Sequence, residues 1–274
     1  MPAFQLQQFQ QQLNQLLVVF ALPTEFHQQL TAFLERYEQP SYRYGEGVKA
    51  PPEPAYHLQS LMMEELLSAL TRMAAERPRS AMYLAQECWT DPFYEIKKIA
   101  VVVMGRAPLF DLDLFEDAFH QMLQQADPAY LDLLLFHGIE NFAQQHFTRL
   151  IDWITGWLDD GNTREIGYAA IQGIIDRGNL DHLPTVFRLI EPAVIRGESD
   201  ERDRVLSIMD GLAALSPMET AYFLSENTRH FYGEERMHYF RALCRSLDQP
   251  QRDFVNRAFL DPSAFFHEED VLDD

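Results

Sequence analysis

Trp89-Thr90-Asp91-Pro92-Phe93-Tyr94-Glu95-Ile96-Lys97-Lys98-Ile99-Ala100 is a helix boundary inside a sequence that otherwise reads as one helix after another. Asp91 can accept a terminal N–H and Pro92 is tolerated at a first helical position, so the pair starts a helix. Trp89 and Tyr94 are expected to pack the resulting hairpin, and Glu95 to favour the dipole near the helix start. Upstream the same logic repeats. Residues 4–20 place Phe9, Leu13, Leu16, Leu17 and Phe20 on one face, opposite a glutamine-rich one, which is the spacing of an amphipathic helix. A second helix from about Thr24 carries Phe26, Leu30, Phe33, Leu34 and Tyr37, with Thr24 and Glu25 after Pro23 as its start. From Gln39 to Pro54, prolines, glycines and tyrosines replace the periodic pattern and mark a long loop.

Downstream of Tyr56, helical segments alternate with the breakers Asp91-Pro92, Ala107-Pro108, Asp127-Pro128, Asp159-Asp160-Gly161-Asn162, Gly178-Asn179, Ser216-Pro217 and Gln249-Pro250. Breaks every roughly 15 to 35 residues suit stacked helical hairpins. The apolar runs Ile99 to Met104 and Leu133 to Phe136 sit inside helical windows and read as buried helix rather than strand. No residue recurs at a strict period, which disfavours ankyrin, tetratricopeptide and leucine-rich arrays and leaves a degenerate HEAT-like array. The expected fold is therefore all-α, a HEAT-like α-solenoid of stacked antiparallel helical hairpins. A single domain is expected over 1–260. The tail 261–274 is acidic, with no Lys or Arg; it reads as a solvated terminus, or as a short partner-binding motif using Phe265, Phe266, Val271 and Leu272.

With 47% hydrophobic residues in 274, the chain can bury a substantial core. Cys88 and Cys244 are too few and too far apart in sequence for a disulfide framework or a CxxC zinc site, which points to a reducing cytoplasm. No basic leader is read at the N-terminus. The apolar run Leu16 to Leu22 falls short of the roughly 20 residues that span a bilayer, so no membrane segment is expected. The formal net charge of -20 opposes nucleic-acid binding, because duplex binders place cations on phosphates. A local basic groove is still compatible with that charge, since a Debye length of about 8 Å screens distant carboxylates. Lysine occurs only at Lys49, Lys97 and Lys98, so such a groove would rest on arginine.

Two stretches, Tyr44 through Pro51 and Trp89 through Ala100, resemble the HEAT-like helical repeat proteins related to the DNA alkylation repair (AlkD-like) glycosylases. The first is similar to that family's aromatic-x-Gly-Val-x-x-Pro run and the second to its Trp-x-x-x-x-Tyr/His-Glu-x-(basic)-x-x-Ala pattern. The resemblance covers residues 24–180. It implies a curved stack of hairpins with a basic, aromatic concave face, and a Trp-Trp-Asp-x-x-Asp segment on the helix after the second anchor. Excision of a cationic base needs a carboxylate near the developing sugar cation, aromatic faces for the lesion and cations for the flanking phosphates. The counterpart here, Tyr130-Leu131-Asp132-Leu133-Leu134-Leu135, keeps the first Asp but has Leu135 where the catalytic one is expected. The family's phosphate-gripping arginine region reads Trp157-Leu158-Asp159-Asp160-Gly161-Asn162-Thr163-Arg164-Glu165-Ile166-Gly167-Tyr168-Ala169. Only Arg164 remains basic in it, with Ile166 and Gly167 near the expected arginine pair.

Trp153 and Trp157 lie one helical turn apart, as core residues or as the lining of a ligand surface. Arg236, Arg241, Arg245, Arg252 and Arg257 bias the last helices positive; salt bridging to Glu234, Glu235, Asp248 and Asp253 is the simpler role. Glu235 and His238 have the i, i+3 spacing of a di-iron half-site, but neither His137 with Glu140 nor Glu116 with His120 completes one. No nucleophile elbow, phosphate loop, dinucleotide fingerprint or HExxH motif occurs.

The leading expectation is a non-catalytic scaffold, without cofactor or metal, that binds a protein partner through its concave face. The rival is a divergent DNA base-excision glycosylase or lesion binder using Asp132, Tyr130, Trp153, Trp157 and Arg164. A third reading, a small-molecule or metal-binding helical protein, needs inward carboxylates around His238 or His137. An acidic or apolar groove favours the scaffold, and a basic one the glycosylase.

Overall fold

The computed structural model describes residues 3–39, 50–178 and 180–260. The Tyr44-to-Lys49 part of the first family anchor and the acidic tail 261–274 lie outside the described residues. Among the described residues every regular element is helical, with no strand. The chain divides into two compact units, Met1–Ile151 and Asp152–Asp274.

The first unit holds α1 (Ala3–Val18), α2 (Pro23–Tyr37), α3 (Ser60–Glu76), α4 (Pro78–Trp89), α5 (Tyr94–Arg106), α6 (Leu112–Gln124), α7 (Pro128–His137), α8 (Glu140–Gln145) and the start of α9 (Phe147–Asp159). The helices fall into two rows. α1, α3, α5 and α7 each pack on the next, as do α2, α4 and α6, while the hairpin partners α1 with α2, α3 with α4 and α4 with α5 join the rows. The pattern follows from the apolar stripes: Phe9, Leu13, Leu16 and Phe20 are buried, as are Phe26, Leu30, Phe33 and Leu34 across from them. α5 is the exception to amphipathic design. Every residue from Ile99 through Gly105 is buried, so a run rich in valine, poor in helix propensity, is held helical by neighbours on all sides.

Proline punctuates the starts. Asp127 caps α7, its Oδ1 accepting the Ala129 N–H at 2.8 Å, with Pro128 at the first position. At Asp91-Pro92 the start comes two residues later than the dipeptide suggests. Asp91 Oδ1 accepts the Phe93 N–H at 2.8 Å, two residues on, which closes a turn on the Asp-Pro pair itself and leaves Phe93 as the flanking residue before Tyr94.

The second unit continues through α10 (Arg164–Asp176), α11 (Leu183–Arg196), α12 (Arg202–Leu215), α13 (Pro217–Glu226), α14 (Glu234–Leu243) and α15 (Gln249–Leu260). α10, α12 and α14 pack in sequence, and α13 packs on α15. Phe187 of α11 stacks on Phe223 of α13 with ring centroids 5.0 Å apart. No helix among the described residues is long and apolar enough to cross a membrane.

Gly105, near the end of α5, faces the backbone where α7 ends. A Cβ there would lie inside van der Waals contact with the carbonyl of His137 and within 3.0 Å of Gly138, and a backbone atom cannot swing aside as a flexible side chain can. Gly105→Ala is therefore expected to destabilise the first unit by about 3 kcal/mol despite alanine's better helix propensity. Urea unfolding of the full chain checks this, and a midpoint equal to or above the wild-type value contradicts it.

Candidate functional site

The segment leading into α3 is fastened by one carboxylate. Glu95, in the first turn of α5, is only 4% exposed. Its Oε2 accepts the Tyr56 N–H at 2.9 Å and its Oε1 the His57 N–H at 2.8 Å. A carboxylate in an apolar setting is tolerable when its oxygens receive donors of this kind. The reciprocal bond runs from the Tyr94 N–H to the Pro54 carbonyl at 2.9 Å, and the Tyr56 ring stacks on Phe93 at 4.2 Å. His57 has a φ of 54°, a left-handed conformation that is uncommon for a non-glycine residue.

This clip forms one wall of a groove of about 560 Å³ in the first unit, bordered by the segment 50–58 and by α3, α5 and α7. Pro51, Pro52, Leu58, Met63 and Leu67 give it an apolar lining; Tyr94 adds a ring. The charged side chains are Glu64 from α3, Glu95 and Lys98 from α5, and Asp132 from α7. Carboxylates therefore outnumber cations. Burial lowers the Lys98 ammonium pKa, against the opposing pull of Glu95 and Glu64. Burial raises the Tyr94 phenol, and Glu95 adds to the effect.

The residues singled out from the sequence are distributed among different tasks. Asp132 is an exposed member of the groove. Tyr130 is buried; its ring meets Trp89 edge-on at 6.5 Å. Between the two rings sits Lys97, its Nζ 4.7 Å from the Trp89 ring centroid and 5.2 Å from that of Tyr130. The ammonium also donates to the Trp89 carbonyl, and the Trp89 indole donates to the Met122 carbonyl at 2.8 Å. Lys97 is thus held against both rings by cation–π contact. Leu135, at the expected catalytic position, is fully buried.

In the second unit, Trp153 and Trp157 lie with ring centroids 6.0 Å apart, both half-buried. Arg164 is engaged twice: its Nε donates to the Leu158 carbonyl at 3.1 Å and its Nη1 to Glu201. Glu201 also accepts from the Tyr168 hydroxyl at 2.7 Å and from Arg196 at 3.2 Å. Burial alone would raise the Glu201 carboxyl pKa, but donors from Arg164, Tyr168 and Arg196 outweigh it and hold the group below the ordinary glutamate range. A Cβ larger than glycine's hydrogen at position 167 would run into the Leu158 side chain at 2.7 Å. Close packing of α10 on α9 therefore accounts for glycine where the family resemblance leads one to look for arginine. Arg236 closes the end of α11, donating to the carbonyls of Ile195, Arg196 and His230, and Arg245 pairs with Asp210 at 3.1 Å.

No group of three or more His, Cys, Asp or Glu among the described residues is placed to hold a metal ion. Within the candidate half-sites, Glu116 pairs with Arg149 at 2.6 Å and Glu235 with Arg202 at 3.7 Å. Sequence reasoning missed the tasks of Glu95 and Glu201. Glu95 carried a signal, an acidic residue directly ahead of an apolar run; Glu201 carried little, since two of its three donors, Tyr168 and Arg164, lie 33 and 37 residues upstream and only Arg196 is near in sequence.

No family model matches the chain, and no curated protein or solved structure matches it.

Removing the Glu95 side chain strands two backbone donors at the groove wall. Glu95→Ala is expected to cost about 3 kcal/mol and to speed hydrogen exchange at the Tyr56 and His57 amides; protection left unchanged at those amides contradicts the clip. For Glu201, a folded-state pKa held below the unfolded one means the stabilisation is present in full above about pH 4.3 and is lost as pH falls through the folded value. Thermal unfolding followed between pH 3 and 7 should show Glu201→Gln to be the less acid-dependent protein.

Proposed function

We propose that this chain is a non-catalytic, HEAT-like helical-repeat scaffold, a solenoid of stacked hairpins that binds a protein partner through the face carrying the α3–α5–α7 groove. The observation that carries this reading is the groove's make-up: an apolar lining with more carboxylates than cations. Such a surface suits a protein segment and repels a phosphate backbone. The alternating rows of α1, α3, α5, α7 and α2, α4, α6 support the solenoid arrangement. Further support comes from side chains committed elsewhere, with Lys97 between two rings, Arg164 on Glu201, and Leu135 buried where an excision carboxylate would stand. On this reading the tie to the alkylation-repair proteins is one of fold. Two free, buried cysteines, Cys88 and Cys244, fit residence in a reducing cytoplasm.

One observation favours the rival, a divergent lesion-binding protein. Asp132 shares its groove with Tyr94 and Lys98, which together offer a carboxylate, a ring and a cation. Anisotropy titration of the full chain against duplex DNA, with and without a cationic abasic analogue, separates the two at about 50 and 150 mM salt, where phosphate-dominated binding weakens steeply. The expected outcome is no analogue-selective binding at either salt. Selective binding that is lost in Asp132→Asn would overturn the scaffold reading.

A further inference from the structure

We infer that a second groove of the first unit, on the row α2, α4 and α6, binds a neutral carbohydrate. Thr24 at the start of α2, Ser80, Tyr83 and Glu87 on α4, and Gln121 on α6 contribute to its walls. Its volume of about 580 Å³ falls within the roughly 300–1,000 Å³ of small-ligand sites. On α4 the residues Ser80, Tyr83 and Glu87 recur at i, i+3 and i+7 and so stand along one face of the helix. The lining is built of hydrogen-bonding groups that the fold leaves unspent. The hydroxyls of Thr24, Ser80 and Tyr83 make no hydrogen bond to another described residue, and each can both donate and accept. Gln86, also in the wall, donates through Nε2 to Gln121 Oε1 at 2.8 Å. That bond ties α4 to α6 and leaves the Gln86 carbonyl oxygen and the Gln121 amide N–H groups for a ligand.

Charge narrows the ligand class. Among the described residues no Lys or Arg lines this groove, and Glu87 is its one charged side chain. The site therefore has no cation for a phosphate or a sugar acid, and the chain's formal charge of -20 repels both. The Glu87 carboxylate accepts no hydrogen bond from the described residues; its Oε1 is 4.0 Å from His27 Nδ1, a ring whose Nε2 is 2.7 Å from Asp91. Two neighbouring hydroxyls of a pyranose can each donate to one oxygen of such a carboxylate, giving a pair of short, charge-assisted bonds. A single peptide N–H can supply one donor only. Tyr83, 53% exposed, adds an aromatic ring at the groove, and the negative face of a ring suits the polarised C–H bonds on the flat side of a sugar. Hydroxyls, amides, one free carboxylate and one exposed ring together fit a neutral sugar.

The test titrates the full chain, followed by saturation-transfer difference NMR, with maltose, cellobiose, lactose and diacetylchitobiose. Glucuronic acid, galacturonic acid and a blocked Ala-Gln-Ala peptide serve as comparisons. At least one neutral disaccharide is expected to bind with a Kd of about 1 mM, as suits an open polar site, and the acids about tenfold more weakly. Tyr83→Ala should weaken the disaccharide about fivefold through the lost ring contact. Glu87→Gln should weaken it about tenfold through the lost charge-assisted bonds. Both side chains reach solvent, so the thermal unfolding curve should stay in place in each variant. Binding that neither substitution weakens lies on another surface and overturns the inference. So do binding of the acids as tight as that of the neutral sugars, a preference for the peptide, and a lack of binding by all four disaccharides. The scaffold reading concerns the α3–α5–α7 groove and stands or falls separately, by the duplex titration.

Discussion

A single carboxylate, that of Glu95, holds together the first unit's groove. Two backbone donors, the N–H groups of Tyr56 and His57, converge on its two oxygens, and the entry into α3 is thereby fixed against the start of α5. The His57 backbone adopts a left-handed conformation, of a kind that persists where surrounding bonds over-determine it. Wall, floor and charge pattern of the groove all follow from this join, because Pro51, Pro52 and Leu58 lie on the tethered segment while Tyr94 and Lys98 project from the helix that tethers it.

Other polar groups of the molecule are committed in the same manner. Lys97 lies against two aromatic faces and a carbonyl. Arg164, Tyr168 and Arg196 converge on Glu201, and Arg236 is turned onto the Ile195 and Arg196 carbonyls that end α11. Buried or half-buried ions held by several donors are costly to release, since the partner left behind keeps its desolvation penalty. The cations held in this way, Lys97, Arg164, Arg196 and Arg236, are thereby turned to the protein's own acceptors and rings.

Much of the helix layout was legible in the sequence, and for local reasons. Asp127-Pro128 and Ser216-Pro217 mark helix starts because the missing proline N–H is no loss in a first turn, and at Asp127 a side-chain cap adds to it within the same turn. The stripe of Phe9, Leu13 and Leu16 announces its helix through spacing alone. The groove was much less legible. Asp132 was picked out by resemblance to a motif and does line the groove, but Tyr94, Glu64 and Lys98, which complete it, come from separate helices and share no spacing. Arg164 read as a phosphate ligand because its partner Glu201 is 37 residues away. Contacts between helices distant in sequence are set by how the helices pack, which no window of sequence encodes.

The placement of the two described lysines lets amine chemistry report on the groove. Of the two lysines in the described residues, Lys97 is tucked under Trp89 and Tyr130, while Lys98 opens into the groove. With its pKa lowered by burial, Lys98 carries a larger share of the neutral amine that acylating reagents attack than an ordinary surface lysine does. An amine-specific label on Lys98, distinguished by peptide mapping from Lys49 and from Lys97, whose pKa burial also lowers, therefore reads out the groove. Its rate of attachment becomes an internal gauge of whether that place is covered, without any engineered probe.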